Sequence, residues 1–254
     1  MLIKHVYNEL YIHGYKNMNI QTKLLLAATT SILPVSQAMA QNGVSFETVY
    51  QHQLSGKVGS VKVDTGGVKQ YKGTTVGLEY GGDVKNGNHH IPFEVSVARG
   101  TKNNHHQYEE MGAKVGYGYD VQVSDSVVIK PKASVGYQRQ KLKSTNSNVH
   151  TVEVNRAYVE AGVEALVGVT DSWQIKPSIT YQHDLSNKTK VGGVKTNTQK
   201  NGDAIQVEIG FNKQLSDSSD LTITPYYQQY QSKAKSTGEK TRIREAGMKV
   251  SYTF

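Results

Sequence analysis

The chain has 254 residues, a mean hydropathy of −0.53 and a formal net charge of +8. It contains no cysteine, which excludes disulfides, thiol nucleophiles and thiolate metal sites. It has no apolar run of roughly 18 residues, which excludes a transmembrane helix. The positive charge favours acidic partners such as phosphates or uronates.

The first forty residues divide into two segments. Residues 18–40 are organised like a secretory signal peptide, with a basic start at Lys23, an apolar core over 24–35 and small residues before Gln41. A buried apolar segment of the folded protein is the alternative. The sequence therefore predicts an upstream extension over 1–17, a signal peptide over 18–40 that is removed, and a barrel domain over 41–254.

Ten runs of alternating apolar and polar residues follow. Each is close to the ~9–11 residues that a tilted strand needs to cross a bilayer. Tyr, Val, Ile and Thr are frequent in them, as is typical of half-buried strands. The runs lie at about 44–53, 74–81, 90–98, 110–121, 127–139, 157–169, 173–183, 204–212, 221–230 and 242–254.

The connections between the runs alternate in length. Short turns rich in turn-forming residues occupy 82–88, 124–126, 170–172 and 216–220. The connections expected to be longer, polar loops are 54–73, 99–109, 140–150, 184–203 and 231–241. Short turns at one end and long loops at the other are typical of transmembrane β-barrels, and an even strand number brings both termini to the short-turn end.

Side-chain parity supports the same interpretation. In run 204–212 the apolar residues Ile205, Val207, Ile209 and Phe211 share one face of the strand. A soluble sandwich would show the same alternation with the apolar face turned inward, but aromatic residues such as Trp173 near the run ends suit a membrane interface. We therefore predict an all-β, transmembrane, antiparallel up-and-down β-barrel with ten strands, with eight or twelve as alternatives.

The polar positions of the runs carry charges of both signs. Lys130 and Lys132 in one run are expected to face Glu160 and Glu164 in the next. Such a lumen is either plugged by mutually neutralising pairs or a narrow channel that selects charged solutes. The residues predicted to line it are Lys114, Lys130, Lys132, Lys176, Lys249, Glu160, Glu164, Glu208 and Glu245.

The long connections are strongly basic. Clustered cations create an attractive field for polyanions, and arginine can bind phosphate or carboxylate through two hydrogen bonds. Ordinary solvated loops are the alternative. The residues predicted to form anion-binding loops are Arg139, Lys141, Lys143, Arg242 and Arg244.

Catalytic and cofactor motifs are weak. His183 and Asp184 are adjacent near a strand end, but consecutive strand residues point to opposite faces and cannot easily share a proton. The histidine pairs 89–90 and 105–106 lack the spacing of metal ligands. No nucleic-acid-reading module occurs. We therefore expect no enzyme activity, metal, cofactor or nucleic-acid partner.

The chain resembles small Gram-negative outer-membrane barrels of the porin-like superfamily. The resemblance is carried by the strand–turn–strand segment 158–175 and by the ending 248–254, in which Tyr252 and Phe254 resemble the signal read by the barrel assembly machinery. A fainter resemblance, in residues 44–53 and 241–254, is to oligogalacturonate-specific monomeric porins, which have twelve strands and an arginine-lined pore for acidic oligosaccharides. The resemblance implies an outer-membrane location with lipid and lipopolysaccharide as neighbours.

Two functions remain open at this point. The first is a narrow porin-like channel for small, anionic solutes that pass the lumen lysines. The second is a plugged structural or surface-interaction barrel whose basic loops bind lipopolysaccharide or acidic polysaccharide.

Overall fold

Twelve segments of the described chain form β-strands, and apolar and polar side chains alternate along them. The computed structural model describes residues 48–65, 68–101, 106–144, 151–191, 194–196, 199–234, 238 and 240–254, which belong to the unit formed by residues 47–254. The predicted extension (1–17) and signal peptide (18–40) lie outside the described residues. Within the described part of the chain, no helix is long and apolar enough to cross a membrane.

Ten strands build the barrel wall and two short strands extend it. The strands are β1 Thr48–Thr65, β2 Val68–Asn86, β3 His89–Gly100, β4 His106–Tyr119, β5 Val121–Ser124, β6 Val127–Ser144, β7 Val152–Thr170, β8 Trp173–Val191, β9 Val194–Thr196, β10 Gln199–Ser216, β11 Ser219–Ala234 and β12 Lys240–Thr253. The four-residue β5 follows β4 and pairs with β6, and the three-residue β9 pairs with the end of β8. The prediction of a ten-stranded antiparallel barrel is therefore confirmed.

The sheet closes on itself because the first strand pairs with the last. All neighbouring strands are antiparallel, and Gln53–Thr65 of β1 lie opposite Thr241–Thr253 of β12. The closure reaches the final residue, since the backbone N–H and C=O groups of His52 and Phe254 exchange two hydrogen bonds of 2.9 Å. Closure removes the two exposed sheet edges, which an open sheet would present to lipid without hydrogen-bond partners.

Tight connections join the strands at one end of the barrel, here called the short-turn end. Between β2 and β3 only Gly87 and Asn88 intervene, and Gly87 has φ = 57°, a left-handed conformation that glycine adopts without a Cβ clash. Two residues also separate β5 from β6, β7 from β8 and β10 from β11. The opposite end, here called the outer end, carries the longer connections 101–105, 145–151 and 235–239 as well as the two-residue connection between β1 and β2.

A band of large apolar side chains faces away from the barrel axis. Leu78, Val135, Ile179 and Val207 are among these exposed residues, and tyrosines such as Tyr181 lie along the edge of the band. The residues between them in the sequence point into the lumen. This is the alternation expected for a wall with hydrocarbon on one side and a polar interior on the other.

The strands extend several residues past the apolar band at the outer end. The prediction that residues 54–73 form a loop is wrong, because β1 continues to Thr65 and β2 begins at Val68. The reason is that the apolar residues of β1 change from the outward to the inward face of the strand. Val58 faces outward, whereas Val61 and Val63 face inward beside the outward Lys62. Beyond the apolar band, water surrounds the wall and the apolar side chains turn toward the axis.

Candidate functional site

The lumen near the short-turn end contains a polar cavity of about 520 Å³. Its wall combines lysine, glutamate, serine and threonine side chains from all ten barrel strands. Eight of the nine residues predicted to line the interior border this cavity, and the ninth, Glu245, lies in the layer above it. The residues that border the cavity are Lys114, Lys130, Lys132, Lys176, Lys249, Glu160, Glu164 and Glu208.

Ion pairs connect most of the cavity lysines to carboxylates on neighbouring parts of the wall. Lys249 Nζ lies 3.4 Å from both Glu79 Oε2 and Glu208 Oε1. Lys114 Nζ lies 3.4 Å from Glu94 Oε2 and 3.8 Å from Glu160 Oε1. The pairs Lys130–Asp120 and Lys132–Glu164 are separated by 3.7 and 3.8 Å. The cavity therefore contains paired charges of both signs rather than a uniformly positive wall.

A buried lysine forms the centre of the next layer toward the outer end. Lys57 Nζ lies 3.7 Å from Glu79, 3.7 Å from Glu110 and 3.9 Å from Glu245. Tyr226 donates a 2.7 Å hydrogen bond to Glu245, and Gln140 donates one of 3.0 Å to Glu110. Six strands thus send polar side chains to one point near the barrel axis.

Arg156 forms the other half of this layer. Its guanidinium donates to Gln138 at 2.6 Å, to Gln182 at 2.9 Å and to Asp184 at 3.3 Å. It also packs over the ring of Tyr230, with 4.6 Å from Cζ to the ring centroid. Because a guanidinium has five N–H donors in a rigid planar arrangement, one arginine can hydrogen-bond to side chains of several strands.

An apolar cluster fills the lumen above the charged layer. Val61, Tyr71 and Tyr108 have exposed fractions of 0, 2 and 1 %, and the two tyrosine rings stack with centroids 6.0 Å apart. The cluster also contains Val63, Leu142, Ala204, Tyr230 and Ile243. These buried side chains occupy the described lumen between the polar cavity and the outer end.

The sequence analysis did not predict the residues that fill the outer half of the lumen. Lys57 was expected in a loop, and the roles of Glu110, Arg156 and Asp184 were not predicted. The missed signal is the inverted alternation, in which Val61 and Val63 flank Lys62 just after the apolar band ends.

The residues predicted to form anion-binding loops lie in strands, so this part of the prediction is wrong. Arg139, Lys141 and Lys143 belong to β6, and Arg242 and Arg244 belong to β12. They lie on outward-facing positions above the apolar band, where strand pairing continues into water and makes the wall longer than the bilayer. Their anion binding stays a prediction.

Some of these outer cations have acidic neighbours. Arg244 donates to Asp64 at 2.6 Å and Arg139 donates to Glu153 at 2.8 Å. Although partial burial opposes ionisation, hydrogen bonds from Asn155 and Arg139 hold the pKa of the Glu153 carboxyl below its ordinary value. Glu153 is therefore ionised at neutral pH and orients Arg139 on the outer surface.

An acid–histidine contact forms at the outer end, and it joins His183 to Asp203 rather than to its sequence neighbour Asp184. Asp184 points into the lumen, whereas His183 Nδ1 lies 2.8 Å from Asp203 Oδ1 on the neighbouring strand β10. Tyr181 donates to the same oxygen at 2.5 Å. All three side chains are on the outward face. Among the described residues, no group of three or more His, Cys, Asp and Glu could hold a metal ion.

The terminal aromatic residues lie on the outward face at the short-turn end. Tyr252 and Phe254 stack with centroids 5.9 Å apart and an interplanar angle of 21°. Both remain about half exposed, so the rings are accessible from the membrane side.

Comparisons with known proteins agree with this architecture. The family model described as the autotransporter β-domain matches residues 43–225. No curated protein sequence matches the chain significantly. The family match gives no support to the resemblance to oligogalacturonate-specific porins, whose twelve strands also differ from the ten found here.

Solved outer-membrane barrels have similar folds at low identity. The outer-membrane protease OmpT from Escherichia coli has a TM-score of 0.51 at 6 % identity, covering 84 % of this chain and 99 % of that one. The translocator domain of the autotransporter NalP from Neisseria meningitidis has a TM-score of 0.48 at 12 % identity, covering 90 % of this chain and 96 % of that one. The β-domain of the Bordetella autotransporter BrkA has a TM-score of 0.44 at 11 % identity, covering 81 % and 98 %.

At these identities the structural likeness concerns the fold alone, and the family follows from the sequence match. That match covers well over half of the chain, on a closed barrel with an apolar outer band. The chain therefore belongs to the autotransporter β-domain family and is a β-barrel of the Gram-negative outer membrane.

Proposed function

We propose that this barrel acts at the cell surface as a closed, non-conducting scaffold that binds acidic polysaccharide through outward-facing cations at its outer end. We also propose that it is not an enzyme. The paired His183 and Asp203 lie on the outward face at the edge of the apolar band rather than in a water-filled cleft.

The observation that carries the proposal is the filled outer half of the lumen. Lys57 and Arg156 are tied to carboxylates and amides of facing strands, and the tyrosine-rich cluster lies directly above them. A solute crossing the barrel would have to separate buried ion pairs and displace packed aromatic rings. Both steps are costly in an interior of low dielectric constant.

The outer surface supports the binding part of the proposal. Cations on several strands project outward beyond the apolar band, at the level of lipopolysaccharide sugars and phosphates. Arginine binds carboxylate or phosphate through two parallel hydrogen bonds, and clustered cations raise the local concentration of a polyanion. The cations concerned are Lys62, Lys72, Arg99, Arg139, Lys141, Lys143, Lys188, Lys190, Arg242 and Arg244.

Binding of soluble polygalacturonate to the detergent-solubilised protein tests the proposal. We expect saturable binding that weakens as salt is added, and the double variant Arg242→Gln/Arg244→Gln should bind several-fold less. The variant Lys114→Gln, which removes an inward cation, is the matched control and should bind normally. Binding that is unchanged in the double variant, or equally strong for uncharged dextran, would refute it.

A narrow channel for small anions is the second candidate. The polar cavity with Lys130, Lys132 and Lys176 in its wall favours it. The pairing of Lys130 with Asp120 and of Lys132 with Glu164 argues against anion selectivity, since each pair presents little net charge to a solute. Conductance measurements distinguish the two candidates.

A further inference from the structure

A shallow groove of about 570 Å³ runs along the outward face of strands β4, β6, β7 and β8. Its floor contains Ala133 and Ala161, which are paired across β6 and β7. Tyr117 is the neighbour of Ala133 on β4, and Tyr181 is the neighbour of Ala161 on β8. Two small residues between two aromatic rings therefore produce a trough, whose walls are three strand spacings, or ~14 Å, apart.

The position of the groove determines what can occupy it. It continues over Val135 and Val159, which are exposed residues of the outward apolar band. In an outer-membrane barrel this band faces hydrocarbon, so the groove is filled by an acyl chain rather than by water or a polar ligand.

The outer end of the groove is polar. His183 borders the groove and contacts Asp203, which also accepts the Tyr181 hydroxyl. On the next strands Tyr137 donates a 2.9 Å hydrogen bond to Asn155. The change from apolar floor to hydrogen-bonding groups follows the change from acyl chain to headgroup in a lipid.

Cations lie directly above this polar rim. Strand pairing places Arg139, Asn155 and Lys188 in one row across β6, β7 and β8. The row lies four residues beyond Val135, or ~13 Å along the strand. The adjacent row contains Lys141 and Lys190 together with the acidic residues Glu109 and Glu153. Four cations against two carboxylates leave a net charge of +2, which complements an anionic headgroup.

From this arrangement we infer that the groove binds one molecule of lipopolysaccharide in the outer leaflet. An acyl chain lies over Ala133 and Ala161 between Tyr117 and Tyr181, and Arg139, Lys141 and Lys188 bind a phosphate of the sugar headgroup. The headgroup contact rests on the polyanion binding proposed above, whereas the acyl-chain contact is independent of it.

Native mass spectrometry of the purified protein tests this inference, with lipopolysaccharide or phosphatidylglycerol added in detergent micelles. Ala161→Phe fills the trough without changing charge. Ala246→Phe is its matched control, because Ala246 is also an exposed, outward-facing alanine, on β12 across the barrel. Arg139→Gln/Lys188→Gln removes headgroup contacts, and Lys62→Gln removes an outward cation on the opposite wall.

We expect the wild type, Ala246→Phe and Lys62→Gln to retain one lipopolysaccharide, and Ala161→Phe to retain at least about tenfold less, which corresponds to ~1.4 kcal/mol. Arg139→Gln/Lys188→Gln should lose lipopolysaccharide while phosphatidylglycerol stays weakly bound in all forms. Equal retention by Ala161→Phe and Ala246→Phe would overturn the acyl-chain site, as would equal binding of phosphatidylglycerol by the wild type. Soluble polygalacturonate binding should be unchanged in Ala161→Phe, so a failure of the groove can be distinguished from a failure of the proposed surface function.

Discussion

Arg156 and Asp184 face each other across β7 and β8 inside the barrel, 3.3 Å apart and with exposed fractions of only 1 and 0 %. Asp184 also accepts hydrogen bonds from Tyr230 at 2.7 Å and from Asn187 at 3.1 Å. The pair therefore lies at the centre of a buried polar network, at the level where the polar cavity ends and the apolar cluster begins.

Removing one partner of this pair should strongly destabilise the barrel. Arg156→Met leaves the Asp184 carboxylate buried without its cation, a change that typically costs ~3–5 kcal/mol. Arg139→Met is the matched control, because its pair with Glu153 lies on the outer surface, where such pairs contribute ~0–1 kcal/mol. Urea unfolding in detergent micelles measures both. Equal effects of the two substitutions would mean that the inner network contributes little to stability.

Lys57 should contribute more to the stability of the barrel than Lys62 on the same strand. Lys57→Met leaves Glu79, Glu110 and Glu245 close together without the cation between them. Lys62 has one acidic partner, Asp64 at 3.5 Å, and faces outward. We expect Lys57→Met to lower the urea midpoint clearly and Lys62→Met to leave it nearly unchanged. A tolerated Lys57→Met would show that the three carboxylates are not held together by this lysine.

The stacked tyrosines should control passage through the outer half of the lumen. Tyr71→Ala/Tyr108→Ala removes the two rings that stack inside the apolar cluster. In a liposome-swelling assay we expect the wild type to exclude small sugars and the double variant to admit them. Tyr181→Ala, which removes an outward-facing ring, is the control and should behave like the wild type. Exclusion of sugars by the double variant would locate the barrier elsewhere.

The terminal aromatic residues should affect assembly rather than stability. Phe254→Ser changes an exposed ring at the end of the chain but keeps the backbone hydrogen bonds to His52. We expect less folded barrel in the outer membrane, measured by heat-modifiable migration in gels, and an unchanged urea midpoint for the fraction that folds. Phe211→Ser, an outward aromatic substitution in β10, is the comparison. Normal assembly of Phe254→Ser would contradict the prediction that the barrel assembly machinery recognises Phe254.

The sequence was sufficient to predict the parts of the fold that the bilayer determines. A wall between hydrocarbon and a polar lumen requires strict alternation, so the ten spans and the inward direction of Lys114, Glu160 and Lys249 followed from parity. The short turns followed from their turn-forming residues, such as Gly87 and Asn88.

The charged layer around Lys57 and Arg156 and the apolar cluster above it were not predictable in the same way. Above the bilayer the solvent is water, so apolar residues such as Val61 and Val63 turn inward and the alternation changes phase. Contacts such as Arg156–Gln182 depend on the register between strands, which the sequence of a single strand does not specify. The role of Asp184 was missed for this second reason.

Single-channel recording in planar bilayers tests the proposed closure of the lumen most directly. With the purified protein reconstituted and its folding verified in the same preparation, we predict no stepwise conductance above the background of the bilayer between low and high salt. Stable conductance steps with anion selectivity, altered by Lys130→Glu/Lys132→Glu, would contradict the closed barrel and favour the channel.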